Sequence, residues 1–462
     1  MEQTTAKKNK YEIDMCNGTI MDKLISFSLP LMLSGILQLM FNAVDIIVVG
    51  RFSGSQALAA VGSTSALINV FTNLFIGISL GANVLTARFY AAGREKEVSE
   101  TVHTAITLAL VSGIVMALVG LVFSKGALAL MGTPDDVIGL SALYMRIYFL
   151  GMPFFMLYNY GAAILRAVGD TKRPLLFLMI AGVINACLNM VLVIVFKLGV
   201  AGVAIATVIS QMISCVLVLR CLCRSESSYR LRFSELGMKG YYLKQIFSVG
   251  VPAGIQSTVI NFSNVLLQSS VNSFGSTAMA GYTAANNLLG FLYVSVNSIT
   301  QACMSFTSQN YGVGKLKRMD RVLADCMILS VVVAVALGCI CYGFGPEILQ
   351  IYTEDAEVIA CGMEILAYTT ITYFLCGWMD LFPGALRGMG YSAVPMVLSV
   401  IGTVGTRVVW IFGIFPYHRS LAILFISYPA SWIITIILQV ACFYFVRRRV
   451  HRRSQTPAGQ EG

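Results

Sequence analysis

The sequence predicts an all-α membrane protein whose twelve transmembrane helices form two six-helix lobes. The first observation is composition: hydrophobic residues make up 57% of the 462 residues, charged residues only 12%, and the mean hydropathy is +0.77. A water-soluble protein of this length needs more charge on its surface. The second observation is a series of bilayer-length apolar runs, and the third is a repeat that relates the two halves of the chain.

Twelve apolar runs are each long enough to cross a bilayer, which takes about 20 helical residues. Their approximate limits are 24–50, 56–86, 101–124, 138–165, 174–196, 199–219, 245–271, 278–307, 322–344, 358–385, 394–416 and 420–446. Polar breaks separate these runs. The predicted domains are a cytoplasmic N-terminal segment (1–23), an N-lobe (24–223), a cytoplasmic linker (224–244), a C-lobe (245–446) and a basic cytoplasmic tail (447–462).

The distribution of Lys and Arg predicts how the spans are oriented. With the N-terminus inside, the external loops contain only Arg51, Lys125, Lys197 and Arg419 of the 32 Lys and Arg residues. Nearly all the others lie in cytoplasmic segments, which is a positive-inside bias. We therefore expect a multi-pass protein of the inner (plasma) membrane with both termini in the cytoplasm.

The two halves of the chain resemble each other in sequence. LRAVGDTKRP (165–174) aligns with LRGMGYSAVP (386–395), and RFYAAGREK (88–96) aligns with QNYGVGKLK (309–317) at the same offset. A repeat of six spans keeps the same inside–outside sense, so we expect the lobes to be related by a pseudo-two-fold axis along the membrane normal. Two lobes around a central cavity are an arrangement that suits alternating access.

The motifs of several enzyme and cofactor classes are absent from the sequence. It contains no phosphate-binding loop, no HExxH metal motif and no GxSxG nucleophile motif. The twelve cysteines include no CxxC pair, and the three histidines lie far apart in the chain. The basic residues lie in short loops rather than on one arm, which argues against nucleic acid as a partner. We expect neither an enzyme nor a bound metal or cofactor.

Asp45 is an ionisable side chain within an apolar span, where a charge is costly and usually functional. Asn185 and Asn189 are spaced i, i+4 and share one face of span 5, and Thr207 comes from span 6. Counting residues along each helix places these four side chains in one layer of the N-lobe. We interpret them as a coupling-ion site. The alternative is a set of hydrogen bonds between helices, which explains the amides better than the carboxylate.

One helix-packing motif and a group of gate residues are also part of the prediction. GISLG (77–81) fits the small-xxx-small pattern of closely packed helices. Arg407 lies deep in span 11 and needs a partner, but a direct bridge to Asp380 is doubtful because the two differ in depth. The residues assigned to gating or structure are Pro30, Arg166, Asp380, Arg387 and Arg407.

A cavity between lobes with aromatic and apolar walls would suit flat amphipathic cations. The residues that we expect to line it are Met40, Phe41, Tyr158, Gln211, Tyr282 and Phe291. Core packing is the commoner fate of such aromatic residues, and it remains the alternative interpretation for each of them.

The six-plus-six repeat, the span from Pro30 to Asp45, the two LR turns and the Asn185/Asn189 span together resemble the bacterial multidrug and toxic compound extrusion (MATE) transporters over nearly the whole chain. The resemblance implies a V-shaped antiporter that expels organic cations in exchange for H⁺ or Na⁺. It also implies that Asp45, Asn185 and Thr207 belong to an N-lobe coupling site. Asn189 departs from the pattern because some members have Asp there, and Asn261 and Cys376 stand near the positions of C-lobe acids found in a Na⁺-dependent branch.

We therefore expect a secondary active exporter of small organic cations that works as a monomer in the lipid bilayer. One rival is a flippase for lipid-linked sugars with the same broad fold. The other rival is a non-transporting membrane receptor or assembly protein, which would not need a carboxylate layer or two equivalent lobes. The residues leave both H⁺ and Na⁺ open as the coupling ion, and they leave a second ion site in the C-lobe open as well.

Overall fold

The computed structural model describes residues 11–455, and these residues form helices and short connections without a β-strand. The helices are α1 (Met21–Phe52), α2 (Ser55–Ala91), α3 (Glu95–Leu130), α4 (Asp135–Leu150), α5 (Met152–Ala167), α6 (Lys172–Asn189), α7 (Gly199–Cys223), α8 (Gly240–Asn272), α9 (Ser276–Gly312), α10 (Leu316–Gly343), α11 (Gly345–Gln350), α12 (Ala356–Thr369), α13 (Tyr373–Gly388), α14 (Ala393–Ser399), α15 (Thr406–Val409) and α16 (Leu421–Gln455). The predicted end segments 1–23 and 447–462 lie partly outside the described residues.

The helices form two compact units. Among the described residues, the first comprises 11–13 and Leu33–Gly254, and the second comprises Asp14–Met32 and residues 255–455. Two of the three boundaries between the units fall within long helices, α1 and α8. Each unit has its own core of buried apolar side chains.

The backbone confirms the predicted repeat. α2 and α9 both contain 37 residues, and α1 and α8 contain 32 and 33. The two LR turns end in glycines with nearly the same left-handed conformation, since φ is 96° at Gly169 and 92° at Gly390. An L side chain rarely adopts this conformation, so a glycine in each turn lets the chain leave one helix and enter the next. The repeat therefore extends from the sequence to the local backbone.

Two predicted spans are bent pairs of helices rather than single straight helices. The run 138–165 corresponds to α4 and α5, bent by 47°, and the run 358–385 corresponds to α12 and α13, bent by 51°. The first break lies at Gly151, next to Met152 and Pro153 in the first turn of α5. Proline lacks the N–H for a helical hydrogen bond and is tolerated at such a start. The two bends are at equivalent places in the repeat.

Apolar length identifies ten of the twelve expected crossings. Eight helices are long and apolar enough to span a bilayer, and each of the two bent pairs adds one more. The two long helices that remain are α8 and α9. Both are as long as the other helices but contain more polar residues. Composition alone therefore does not identify them as membrane spans.

The GISLG motif forms the close helix contact that its spacing predicts. A Cβ added to Gly77 would lie 2.3 Å from the Cα of Gly254, and one added to Gly81 would lie 2.2 Å from the carbonyl oxygen of Ile246. Gly250 and Gly254 form a second small-xxx-small pair on α8, and Gly250 meets the backbone of Ile78 in the same way. Four glycines thus allow α2 and the first half of α8 to pack backbone against backbone.

Candidate functional site

A polar cluster within the first unit is built around Asp45 of α1. The amide nitrogen Nδ2 of Asn189 donates a short hydrogen bond to Oδ1 of Asp45. The side chain of Thr207 lies beside the same carboxylate, and its hydroxyl donates to the carbonyl oxygen of Val203 at 3.0 Å. α6 and α7 supply these two partners. The structure therefore places Asn189 and Thr207 next to Asp45, as their predicted shared layer requires.

Asn185 belongs to the cluster but does not contact the carboxylate directly. Its Oδ1 accepts a hydrogen bond of 3.2 Å from the same Nδ2 of Asn189 that binds Asp45. Both asparagines are buried, with 5% and 0% of their surface exposed. A π-helical turn, Met190–Val195, begins directly after Asn189, a feature that often marks functional positions. The hydrogen bond between Asn189 and Asn185 fixes the orientation of the amide that contacts Asp45.

The buried oxygen atoms of this cluster are not all satisfied. Within the described part of the chain, Oδ1 of Asn189 and Oε1 of Gln211 have no hydrogen-bond partner. Buried polar atoms are nearly always paired in folded proteins, with protein, water or an ion. A carboxylate beside unpaired amide oxygens can accept hydrogen bonds from a water molecule or bind a monovalent cation.

Two tyrosines of α4 join the cluster and were not identified from the sequence. Tyr144 and Tyr148 lie close enough to Asp45 to interact with it electrostatically, and their rings stack at 6.1 Å. The side chain of Gln211 lies at the hydroxyl of Tyr148. Gln211 was predicted to line the cargo cavity, and that role stays a prediction. The i, i+4 spacing of the tyrosines was visible in the sequence, but aromatic pairs are common in apolar helices.

The predicted cavity-lining residues of the first unit occupy different environments. Met40 is 51% exposed. The ring of Phe41 packs on Gly182, where it takes the space that a side chain would fill. The hydroxyl of Tyr158 donates to the carbonyl oxygen of Pro174 at 3.1 Å, so this residue links α5 to the start of α6.

In the second unit, Tyr282 is a core residue. Only 2% of its surface is exposed, and its hydroxyl is 2.9 Å from that of Tyr428. Phe291 is partly buried on the same helix. The role of these two residues at a cargo cavity stays a prediction, and core packing describes the position of Tyr282.

The residues assigned to a gate lie in helices and at helix ends. Pro30 lies inside α1 without ending the helix, and Arg166 is in the last turn of α5. Arg387, in the equivalent turn of α13, donates from Nη2 to Oε1 of Gln256 at 2.6 Å. Asp380 lies seven residues earlier on the same face of α13 and interacts electrostatically with Arg387. Their function in gating stays a prediction.

Arg407 is buried in the second unit, with 2% of its surface exposed. Its Nη1 donates to Oγ of Ser263 at 2.8 Å and to Oδ1 of Asn264 at 2.7 Å, while Nε is 3.4 Å from Oγ of Ser431. The guanidinium also lies over the ring of Tyr428, 4.8 Å from its centroid. Neutral side chains from α8 and α16 thus provide the partners that the sequence left open.

Comparison with known proteins shows the same architecture over nearly the whole chain. The sequence model of the MatE family matches residues 30–191 and again 252–412, once in each half. A probable multidrug resistance protein of Bacillus subtilis, YoeA, is 32% identical over 92% of this chain and 93% of its own length. The multidrug export protein MepA of Staphylococcus aureus is 22% identical over 82% of this chain and 84% of its own.

Solved structures of MATE transporters have the same fold as this chain. The outward-facing conformation of a multidrug resistance MATE family transporter superposes with a TM-score of 0.87 at 19% identity, covering 98% of this chain and 100% of the other. A crystal structure of MATE in the straight conformation gives 0.86 at 20% identity, covering 97% and 100%. At these identities the likeness shows a shared fold.

Proposed function

The chain belongs to the MatE family of multidrug efflux transporters, and we propose that it is a secondary active antiporter that exports amphipathic organic cations in exchange for H⁺ or Na⁺. The observation that carries this proposal is the carboxylate of Asp45 within a membrane helix, with a hydrogen bond from Asn189 and with Thr207 beside it. An antiporter needs one site that holds either its cargo or its coupling ion but not both. A single negative charge with neutral partners meets this requirement.

The chemistry of the cluster supports a switch between a charged and a neutral state. An apolar environment disfavours the charged carboxylate, whereas the hydrogen bond from the Asn189 amide favours it. The two effects oppose each other, so neither form of Asp45 is prohibitively unstable. The unpaired oxygen of Asn189 provides a further partner for a water molecule or Na⁺.

In the proposed cycle, the coupling ion enters from outside and neutralises Asp45. This removes the charge that attracts a cationic cargo, and α1 repacks near Pro30 as the cargo leaves to the outside. Loss of the coupling ion to the cytoplasm restores the negative charge and a new cargo cation binds. The protein works as a monomer in the plasma membrane, with both termini in the cytoplasm.

The test is transport by purified protein in proteoliposomes with a proton or a sodium gradient imposed separately. We expect one gradient to drive accumulation of ethidium against its concentration gradient. Asp45→Asn mimics the neutral carboxyl at nearly constant volume, and we expect it to insert normally and to lose gradient-driven transport. Accumulation by this variant at the wild-type rate, at matched protein levels, would mean that Asp45 only holds helices together. If neither gradient drives any transport, the result favours a non-transporting protein.

A further inference from the structure

The second unit contains a buried positive charge that the proposed coupling mechanism does not use. No residue in the described part of the chain forms an ion pair with Arg407. Its hydrogen-bond acceptors are the neutral oxygens of Ser263, Asn264 and Ser431. A buried guanidinium without a counter-charge is strongly unfavourable, and neutral hydrogen bonds offset this cost only in part.

The guanidinium retains capacity for another ligand. Its five N–H groups form a planar fork that suits a carboxylate or another small anion. Nη1 and Nε have their acceptors, but no acceptor for Nη2 is found among residues 11–455. The cation thus has a free donor in addition to an unbalanced charge.

A polar face of α8 leads to this charge. Ser257, Asn261, Asn264 and Gln268 follow a spacing of four, three and four residues, which places them on one side of the helix. Three of them are exposed, and Asn264, which contacts Arg407, is partly exposed. Exposed polar side chains at membrane depth occur where a helix lines a water-filled cavity. An anion from water could therefore reach the edge of the guanidinium along this face.

We propose that Arg407, Ser263 and Asn264 form a binding site for a small monoanion in the second unit. The anion is either a free ion such as chloride or the carboxylate of a zwitterionic cargo. The cargo form of the proposal rests on the proposed export function, whereas the free-ion form does not. A zwitterion still carries the positive centre that the Asp45 cluster requires, so this site narrows the cargo class rather than reversing its charge.

The first experiment measures the melting temperature of the purified full-length protein in nanodiscs, in chloride and in gluconate at constant ionic strength. We expect chloride to raise the melting temperature of the wild type saturably and to have no such effect on Arg407→Gln. Removing a charged hydrogen-bond donor should weaken chloride binding roughly tenfold or more. Arg407→Lys keeps the charge but loses the fork, so we expect it to retain a weaker chloride effect.

The second experiment distinguishes the two sources of the anion. In gluconate, equilibrium binding is measured for a zwitterionic rhodamine acid and for its cationic methyl ester. Weaker binding of the acid to Arg407→Gln with unchanged binding of the ester identifies a cargo carboxylate as the ligand. Loss of the chloride effect alone identifies a free ion. Equal weakening of acid and ester, or no chloride effect on the wild type together with unchanged acid binding, overturns the proposal.

A third variant keeps the proposal testable if Arg407→Gln does not fold. Asn264→Asp places a carboxylate of nearly the same shape 2.7 Å from Nη1 and supplies an internal counter-ion. We expect a higher melting temperature in gluconate and loss of the chloride effect. Gln268→Glu, on the same face one turn away, controls for added negative charge and should keep the chloride effect. A chloride effect on Asn264→Asp equal to that of the wild type would contradict the site.

These measurements separate the anion site from the export function. They use binding without an ion gradient, so they do not depend on coupling. Asp45→Asn, which should abolish gradient-driven transport, should leave the chloride effect on the melting temperature intact. A protein that binds chloride through Arg407 but transports nothing would therefore reject the proposed function and retain the anion site.

Discussion

Asn189 and Asn185 have different positions in the Asp45 cluster although the sequence treats them alike. Asn189 donates directly to the carboxylate, whereas Asn185 contacts only the amide of Asn189. A hydrogen bond to a charged group contributes about 1.5–3 kcal/mol, and one between neutral groups about 0.5–1.5 kcal/mol. The contribution of each asparagine to the charge state of Asp45 should follow this order.

We predict that Asn189→Ala changes transport more than Asn185→Ala does. Without the Asn189 amide the carboxylate loses a donor that favours its charged form, so half-maximal transport should move to higher pH. Asn185→Ala should give a smaller movement in the same direction with partial activity, because Asn189 keeps its contact but loses its orientation. Initial rates in proteoliposomes across a pH series measure both effects, with Thr207→Ala as a third variant. The reverse order would show that Asn185 is the direct partner during transport.

At the scale of the helix, the contact between α2 and α8 depends on the absence of side chains. A Cβ at position 77 would come within 2.3 Å of backbone atoms of Gly254 and could be accommodated only by separating the helices. Inserting atoms into a packed contact of this kind typically costs about 1–3 kcal/mol. The membrane offers no hydrophobic force to restore the packing, since lipid tails solvate the separated faces equally well.

We predict that Gly77→Ala lowers the thermal stability of the purified protein and its yield in the membrane. The matched control is Gly62→Ala, on the same helix, where an added Cβ meets no atom within 4 Å. That control should be neutral or slightly stabilising, since alanine favours a helix over glycine by roughly 1 kcal/mol. Fluorescence-detected melting of both variants in the same detergent provides the comparison. Equal melting temperatures for the two variants would argue that α2 and α8 do not pack this closely in the protein.

The arginines at the ends of α5 and α13 belong to the same scale. We predict that Arg166→Ala and Arg387→Ala reduce turnover or expression more than cargo affinity, because the side chains stabilise helix ends. Gln256→Ala should reproduce part of the Arg387→Ala effect, since the two side chains share a 2.6 Å hydrogen bond. The maximal rate and the half-saturating ethidium concentration separate these effects. A large loss of affinity at unchanged expression would place the arginine at the cargo.

At the scale of the whole molecule, the charge of the cargo follows from the balance of charges inside the membrane. The proposed coupling site carries one negative charge, so a transported molecule needs a positive centre to occupy it. Flat apolar cations add burial of aromatic surface, which is favourable at roughly 25 cal/mol per Å². The anion site at Arg407 provides a place for a carboxylate but does not replace the cation requirement.

We predict that cells expressing the protein export ethidium and quaternary ammonium compounds but not purely anionic dyes. Efflux from preloaded cells, compared with cells expressing Asp45→Asn, measures this preference. Robust export of an anionic dye in the absence of ethidium export would contradict the prediction. That outcome would favour a lipid-linked or anionic cargo.

The sequence by itself determined the membrane class, the helical fold, the repeat and the carboxylate in the first span. These features depend on local properties: twenty apolar residues span a bilayer whatever their neighbours are, and a charge within such a run is costly in any fold. The same holds for GISLG, whose spacing places both glycines on one helix face.

Only the tertiary structure decided which side chains meet. It selected Asn189 over Asn185 as the direct partner of Asp45, added Tyr144 and Tyr148 to the cluster, and supplied Arg407 with neutral partners from α8 and α16. Counting residues along a helix gives the depth of a side chain but not the rotation of that helix about its axis or the identity of its neighbours. Those are set by packing among all the helices of a unit, and residue spacing within one helix carries no record of them.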